Sequence, residues 1–288
     1  MSLILDAKKA YIEACLLELS ALKPGNVGYH SEGHGMTAKH FEVSAEVSSN
    51  ALFDMGINTI GERILEAVKV THQAIADNTN LGIILLTAPV VQALRCATGD
   101  TDLRTTIGRQ LEQLTVADAR HTYAAIRLAQ AGGMGEVAQH DVQQEPSITL
   151  RQAMALSAEY DRVAYQYHTN YEDIFDHNLA IYQHYLTLWE NEAWAATAVY
   201  LSQLIRQPDT LIIRKHGVLK AKQISDMIAP LAEQILVAEE PIAYGDQLLA
   251  LDSELKASAI NPGTTADITV TTLFIAKISQ ASILGQST

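Results

Sequence analysis

The chain has 288 residues, 20 Lys+Arg against 33 Asp+Glu for a net charge of −13, and 48% hydrophobic but only 18% charged residues. A chain this long buries about three-quarters of its unfolded surface, and one this apolar is not disordered. The acidic balance argues against general nucleic-acid binding, which sets Lys and Arg against phosphates, and no apolar run reaches the ~20 residues that cross a bilayer.

The N-terminal stretch MSLILDAKKAYIEACLL lacks the basic start, apolar region and small-residue cleavage site of a secretory signal, so it reads as mature structure. Cys15 and Cys96 sit in apolar helical patterns, which points to a reducing, cytoplasmic compartment. Ala, Leu, Gln and Glu dominate and β-branched alternation is scarce. The expected class is therefore all-α, a single compact domain over 1–288 with about ten helices. Helices are expected near 4–22, 38–54, 58–76, 80–95, 115–131, 149–168, 172–206, 221–238, 243–256 and 263–282, with 172–206 long enough for two. No linker-like run and no repeat divides the chain. The apolar stripes along these helices are core.

The unusual chemistry falls in the expected loops. Between 23 and 37 runs Lys23-Pro24-Gly25-Asn26-Val27-Gly28-Tyr29-His30-Ser31-Glu32-Gly33-His34-Gly35-Met36. Its glycines let backbone N–H groups approach a ligand, but it is not a P-loop and would also serve as a plain helix connection. Asn78-Thr79-Asn80-Leu81-Gly82 leads into an apolar helix whose buried N-terminus suits an anion, although an ordinary Asn or Thr cap explains it as well. Gly132-Gly133-Met134-Gly135 and His140-Asp141 follow a helix carrying Arg120 and Arg127 on one face. That pair suits phosphate oxygens, or else a solvated surface.

Asp161, placed on the helix expected at 149–168, extends a partly apolar stripe, where an unpaired carboxylate is costly. It is expected to face a polar cleft, a metal or an arginine. Arg214-Lys215-His216-Gly217 follows an apolar triplet and stands out in a chain poor in cations, as an anion site or a solvated charge run. Asn261-Pro262-Gly263-Thr264-Thr265-Ala266-Asp267 is a helix start with Asn as N-cap and Pro behind it. Zinc-ligand spacings and a nucleophile elbow are absent from the sequence. These residues suit a phosphorylated, Mg²⁺-bound ligand.

Taken in order, the segments from Glu18-Leu19-Ser20-Ala21-Leu22-Lys23-Pro24-Gly25-Asn26-Val27, through Asn78–Gly82, Gly132–Gly135 with Asp141-Val142, Asp161-Arg162-Val163-Ala164 and Arg214-Lys215, to Asn261–Asp267 resemble the triphosphoribosyl-dephospho-CoA synthase family. The resemblance spans about residues 11 to 280. It implies an all-helical enzyme that moves the 5-triphosphoribosyl group of ATP to a hydroxyl of 3′-dephospho-CoA and releases adenine. By that resemblance Lys23, Gly25, Asn26, Asn78, Asn80, Arg214, Lys215, Asn261 and Thr264 bind the nucleotide. Asp161 and Asp267 hold Mg²⁺ or act on the sugar, His34 is an acid toward the leaving base, and Glu18 belongs to the same site.

The stretch Tyr29–Met36 departs from the Ser-Gly-Ala-His pattern of better-known members and resembles a divergent archaeal and methylotroph branch. Related ribosyl or phosphoribosyl transfer in another cofactor pathway, such as a pterin cofactor, fits the same chemistry. Two further readings stand beside it. One is a helical metal-dependent phosphohydrolase built on His72, His121, His140-Asp141 and Asp161; the other is a non-catalytic nucleotide-binding protein. The expected partners are ATP and a hydroxyl acceptor, not nucleic acid or membrane, and the apolar content leaves room for a homodimer.

Overall fold

The computed structural model describes residues 2–97, 102–130 and 142–285, with no side-chain account of Ser2 or of 281–285. These residues form fourteen α-helices, one π-helical turn and one 3₁₀ turn, and no strand. The helical class is as expected, but the count exceeds ten because short helices with their own caps replace longer expected ones. The chain clusters into two compact units built from interleaved segments, Met1–Ile12 with Glu42–Glu172, and Glu13–Phe41 with Asp173–Thr288.

Helices α1 (Ser2–Ser20) and α2 (Ala38–Leu52) each begin in one unit and end in the other. The first unit adds α3 (Ile60–Ile75), α4 (Leu81–Cys96), α5 (Leu103–Glu112), α6 (Val116–Leu128), α7 (Leu150–Ser157) and α8 (Arg162–Thr169). α4 is apolar on nearly every side and supplies the core, from Leu81 to Ala93. Pro89 lies inside it and takes away the N–H that would bond the Leu85 carbonyl one turn earlier. The Tyr167 hydroxyl donates to that carbonyl at 2.6 Å, and Tyr171 donates to Leu86 at 2.6 Å. α3 packs on α6 at a glycine: a Cβ on Gly61 would lie 2.5 Å from the Asp118 Cα. Asp118 accepts from Gly61 N–H at 2.8 Å and closes a capping box with Thr115.

Two expectations fail in this unit. The helix placed at 149–168 ends at Ser157, and Asp161 is the N-cap of α8, its Oδ1 accepting from Val163 and Ala164 N–H at 2.8 and 3.1 Å. A short carboxylate competes for backbone N–H groups and so starts a helix rather than continuing one. Asp161 therefore does not extend the apolar stripe of a continuous helix. The missed helix α5 begins the same way, with Asp102 accepting from Thr105 N–H at 3.0 Å.

The second unit holds the π-helical turn Asp173–Asn178, then α9 (Leu179–Trp189), α10 (Glu192–Arg206), α11 (Thr210–His216) and α12 (Val218–Leu236). The 3₁₀ turn Pro241–Tyr244, α13 (Gly245–Ala257) and α14 (Gly263–Gly285) complete it. The expected 172–206 helix divides where Asn191 caps α10. The unit's core gathers Tyr200, Leu201 and Leu204 of α10, Ile224 and Ile228 of α12, Leu248 and Leu255 of α13, and Ile260.

Candidate active site

α1 ends at Ser20, and the chain turns through Lys23-Pro24-Gly25-Asn26. Gly25 has φ +85°, and a Cβ there would meet Pro262 Cδ at 2.8 Å, so only glycine fits this turn against the Asn261-Pro262 segment. The Lys23 ammonium donates to Glu18 Oε1 at 2.5 Å, to Asn26 Oδ1 at 2.8 Å and to the Val27 carbonyl at 2.8 Å. Those bonds use all three of its donors. Both charged side chains are almost fully enclosed. Burial pushes the Glu18 carboxyl up and the Lys23 ammonium down, each opposed by the charge of the other. Asn26 then donates from Nδ2 to Asn261 Oδ1 at 2.9 Å, which joins two of the motif segments directly. Tyr200 reaches the same turn and donates to the Pro24 carbonyl at 2.9 Å. His34, itself at φ +56°, places Nε2 2.8 Å from the Gly25 carbonyl.

The Arg214-Lys215 pair lies in a helix, not in the expected loop: both are in the last turn of α11, Arg214 half-buried and Lys215 exposed. Pro208 and Asp209 start that helix. The Asp209 carboxylate accepts from Leu211 and Ile212 N–H through Oδ1, at 2.8 and 3.1 Å. Its Oδ2 accepts from Thr265 N–H and Oγ1, at 2.7 and 2.8 Å. One buried carboxylate thus serves the starts of both α11 and α14. Thr210 also donates to Thr264 Oγ1 at 3.1 Å, and at the other end of α11 the His216 ring meets the Ala259 carbonyl at 3.3 Å. α11 is therefore fastened at both ends to the 259–265 segment. The second unit thus ties Glu18, Lys23, Gly25, Asn26, His34, Asn261, Thr264 and the helix of Arg214-Lys215 into one bonded neighbourhood, and Asp267 lies half-buried near the start of α14. Asn261 differs from its expected role. α14 starts at Gly263, and the Asn261 side-chain oxygen bonds Asn26.

Asn78, Asn80 and Asp161 belong to the first unit. Asn80 stands at the N-cap position of α4 but makes no capping bond; its Nδ2 donates to Ser48 Oγ at 3.2 Å and to the Ser44 carbonyl at 3.4 Å. Asn78 takes over the cap and accepts from Leu81 N–H at 3.3 Å. Both line a shallow cavity with Thr71, His72 and Asp77. Gly132–Gly135 and His140-Asp141 lie outside the described residues, and Arg120 pairs on the surface with Glu145 at 3.0 Å. Among the described residues no group of three or more His, Cys, Asp or Glu side chains could hold a metal ion, and no helix is long and apolar enough to cross a membrane.

Sequence reasoning missed Asp209, Tyr200, Ser31, Asp252 and Lys256, all bonded into this neighbourhood. Asp252 and Lys256 are four apart, a spacing that places both on one helix face. Pro208-Asp209-Thr210 carries an N-cap residue before an apolar run, which is a readable helix start.

The glycine turn, the bonded asparagines Asn26 and Asn261 and the buried Glu18–Lys23 pair thus stand together in one helical unit. The sequence profile of the CitG family, ATP:dephospho-CoA triphosphoribosyl transferase, matches residues 5–285, and the chain belongs to that family. A solved structure from Archaeoglobus fulgidus, described as a triphosphoribosyl-dephospho-CoA synthase, is similar to it. The TM-score is 0.63 at 24% identity, over 81% of this chain and 96% of that one, a likeness of fold. No curated protein matches it by sequence.

Proposed function

We propose that the chain transfers the 5-triphosphoribosyl group of ATP to a ribose hydroxyl of 3′-dephospho-CoA and releases adenine. The observation that carries this is the family match over 5–285. The bond between Asn26 and Asn261, which unites two distant motif segments, supports it. In the reaction a bond forms from the hydroxyl oxygen to the anomeric carbon, and the bond from that carbon to the adenine nitrogen breaks. Adenine leaves with the electron pair and takes up a proton, and the hydroxyl gives one up. The transition state carries positive charge on the sugar, which a carboxylate stabilises.

In this reading Asp267 and Asp161 serve the sugar or the metal, Asp161 with one oxygen engaged at the start of α8. Mg²⁺ takes only one or two carboxylates beside phosphate oxygens, so the half-buried Asp267 near the start of α14 is a carboxylate that would hold it. When bound, the ion would neutralise triphosphate charge. Arg214 and Lys215 hold phosphates. Lys23 acts through its bonds to Glu18, Asn26 and Val27, which set the shape of the turn. Asn78, Asn80 and Thr264 bind from helix starts. The Gly25 carbonyl can only accept, so His34 donates to it from Nε2. Its protonated form then offers Nδ1–H to the leaving adenine. A homodimer is the assembly in this reading, which the apolar content supports; sedimentation velocity decides it.

The test is incubation with ATP, Mg²⁺ and dephospho-CoA, with adenine followed by chromatography. Adenine release that requires dephospho-CoA is the expected result. Release without acceptor, or none, would overturn the reading. Asp267→Asn is expected to lower kcat by about a hundredfold or more with the fold retained. If both Asp267→Asn and Asp161→Asn kept full turnover and nucleotide affinity, the carboxylate assignment would fall.

A further inference from the structure

We infer that Asp252 and Lys256 of α13 are positioning residues for the transfer reaction, a clamp that fixes the glycine-rich loop carrying Asn26 and His34. This inference rests on the function proposed above. The two residues lie four apart on one helix face, and their side chains are about nine-tenths buried as a 2.9 Å ion pair.

Each arm of the pair holds a different part of the loop. Asp252 Oδ1 accepts from Gly25 N–H at 2.8 Å, at the residue whose positive φ makes the turn. Asp252 Oδ2 accepts from the Ser31 hydroxyl at 2.6 Å. Lys256 donates to Ser31 Oγ at 2.6 Å and to the Ser31 carbonyl at 3.1 Å. Ser31 also pairs back to Gly28 through two backbone bonds. The stem of Lys256 runs against Gly33, where a Cβ would come within 2.8 Å of Cε. Gly25, Ser31 and Gly33 are thus pinned to one helix face, and His34 is bonded to the Gly25 carbonyl within that frame. The charges of Asp252 and Lys256 are also felt at the Lys23 ammonium.

As a source of stability a buried ion pair adds little over an apolar pair of the same volume, but an apolar pair would leave Gly25 N–H and the Ser31 hydroxyl without these partners. What the ion pair adds is direction. It presents one acceptor to Gly25 N–H, and an acceptor and a donor to Ser31, at fixed distances. A displacement of about 1 Å of a positioned group costs about a hundredfold in rate. The clamp is therefore expected to act on kcat more than on substrate affinity.

The experiment compares wild type with Lys256→Met, Lys256→Arg and Asp252→Asn. It reads kcat and KM for ATP and dephospho-CoA, together with hydrogen exchange of peptides covering 24–36. Lys256→Met keeps the stem against Gly33 and loses the ammonium. The expected result is a kcat loss of about tenfold or more with KM within about twofold, faster exchange confined to 24–36, and partial recovery in Lys256→Arg. Should Lys256→Met fail to fold, Ser31→Ala takes its place with a loss of about threefold. Unchanged exchange, or loosened exchange with kcat within about twofold of wild type, overturns the clamp. A wild-type chain that releases no adenine with dephospho-CoA overturns the proposed reaction instead, and the exchange of 24–36 then decides the clamp alone.

Discussion

At the scale of single residues, the Lys23–Glu18 pair separates what a motif says from what its atoms do. The resemblance makes Lys23 a nucleotide ligand, yet its three N–H donors are spent on Glu18, Asn26 and Val27. The pair is buried, so removing one partner leaves a stranded charge, and such losses run to about 3–5 kcal/mol. Glu18→Gln and Lys23→Met are each expected to destabilise by that order in urea unfolding, and the double variant by clearly less than their sum. Additive costs would show that the two charges do not depend on each other. The residue types at this site were legible in the sequence: Lys23, Gly25, Asn26 and Asn261 belong together, and they are. Their partners were not. Gly25 accepts no side chain because Pro262, more than two hundred positions on, lies 2.8 Å from where a Cβ would be, and no local pattern reports such an approach.

At the scale of elements, apolar periodicity marks the long helices, and short polar side chains cut them where periodicity runs on. α3, α4 and α14 were placed nearly to their ends by apolar period and caps. Asp161 and Asp102 defeated it, because a carboxylate that bonds backbone N–H groups starts a new helix inside what looks like a continuous one. Pro89 poses the opposite case: it sits within α4, and tyrosines from beyond the helix attend to the backbone it disturbs. Tyr167→Phe leaves the Leu85 carbonyl without its hydroxyl partner, a cost of about 1–3 kcal/mol. In a Pro89→Ala background the restored N–H bonds that carbonyl, so the same substitution is expected to cost less than half as much in a double-mutant cycle. Equal costs in both backgrounds would refute the link between Pro89 and Tyr167. The Tyr167 phenol is pushed up by burial, and Asp118 adds to the shift. A raised value means that its contribution is full below the ordinary tyrosine range near ~10 and is lost as pH rises through the folded value. Urea unfolding is thus expected to show a stability falling above about pH 10, with a shallower fall in Tyr167→Phe.

At the scale of the whole molecule, the two compact units explain why no linker was visible. Their segments interleave, and the chain passes from one to the other three times, inside α1, inside α2 and at Glu172–Asp173, so at two of the three crossings a composition shift would have broken a helix. The net charge of −13 works at the same scale. A strongly acidic chain repels a triphosphate from a distance, and only cations set close to the ligand reverse that, over roughly a Debye length of 10 Å at 0.1 M salt. Arg214 and Lys215 are carried on a helix fastened at both ends to the 259–265 segment, which gives them that fixed placement. Two effects of salt then oppose each other. Added salt screens the long-range repulsion, which favours ATP, and weakens the local attraction, which disfavours it. In wild type the local attraction to a highly charged triphosphate dominates, so KM for ATP is expected to rise between about 0.05 and 0.5 M NaCl. In an Arg214→Gln, Lys215→Gln variant much of the local attraction is gone, so KM at low salt is several-fold higher and its rise with salt is clearly shallower than in wild type. The measurement is initial-rate adenine release at fixed dephospho-CoA. Parallel salt dependences in the two proteins would mean that these cations face solvent and that the triphosphate is held elsewhere.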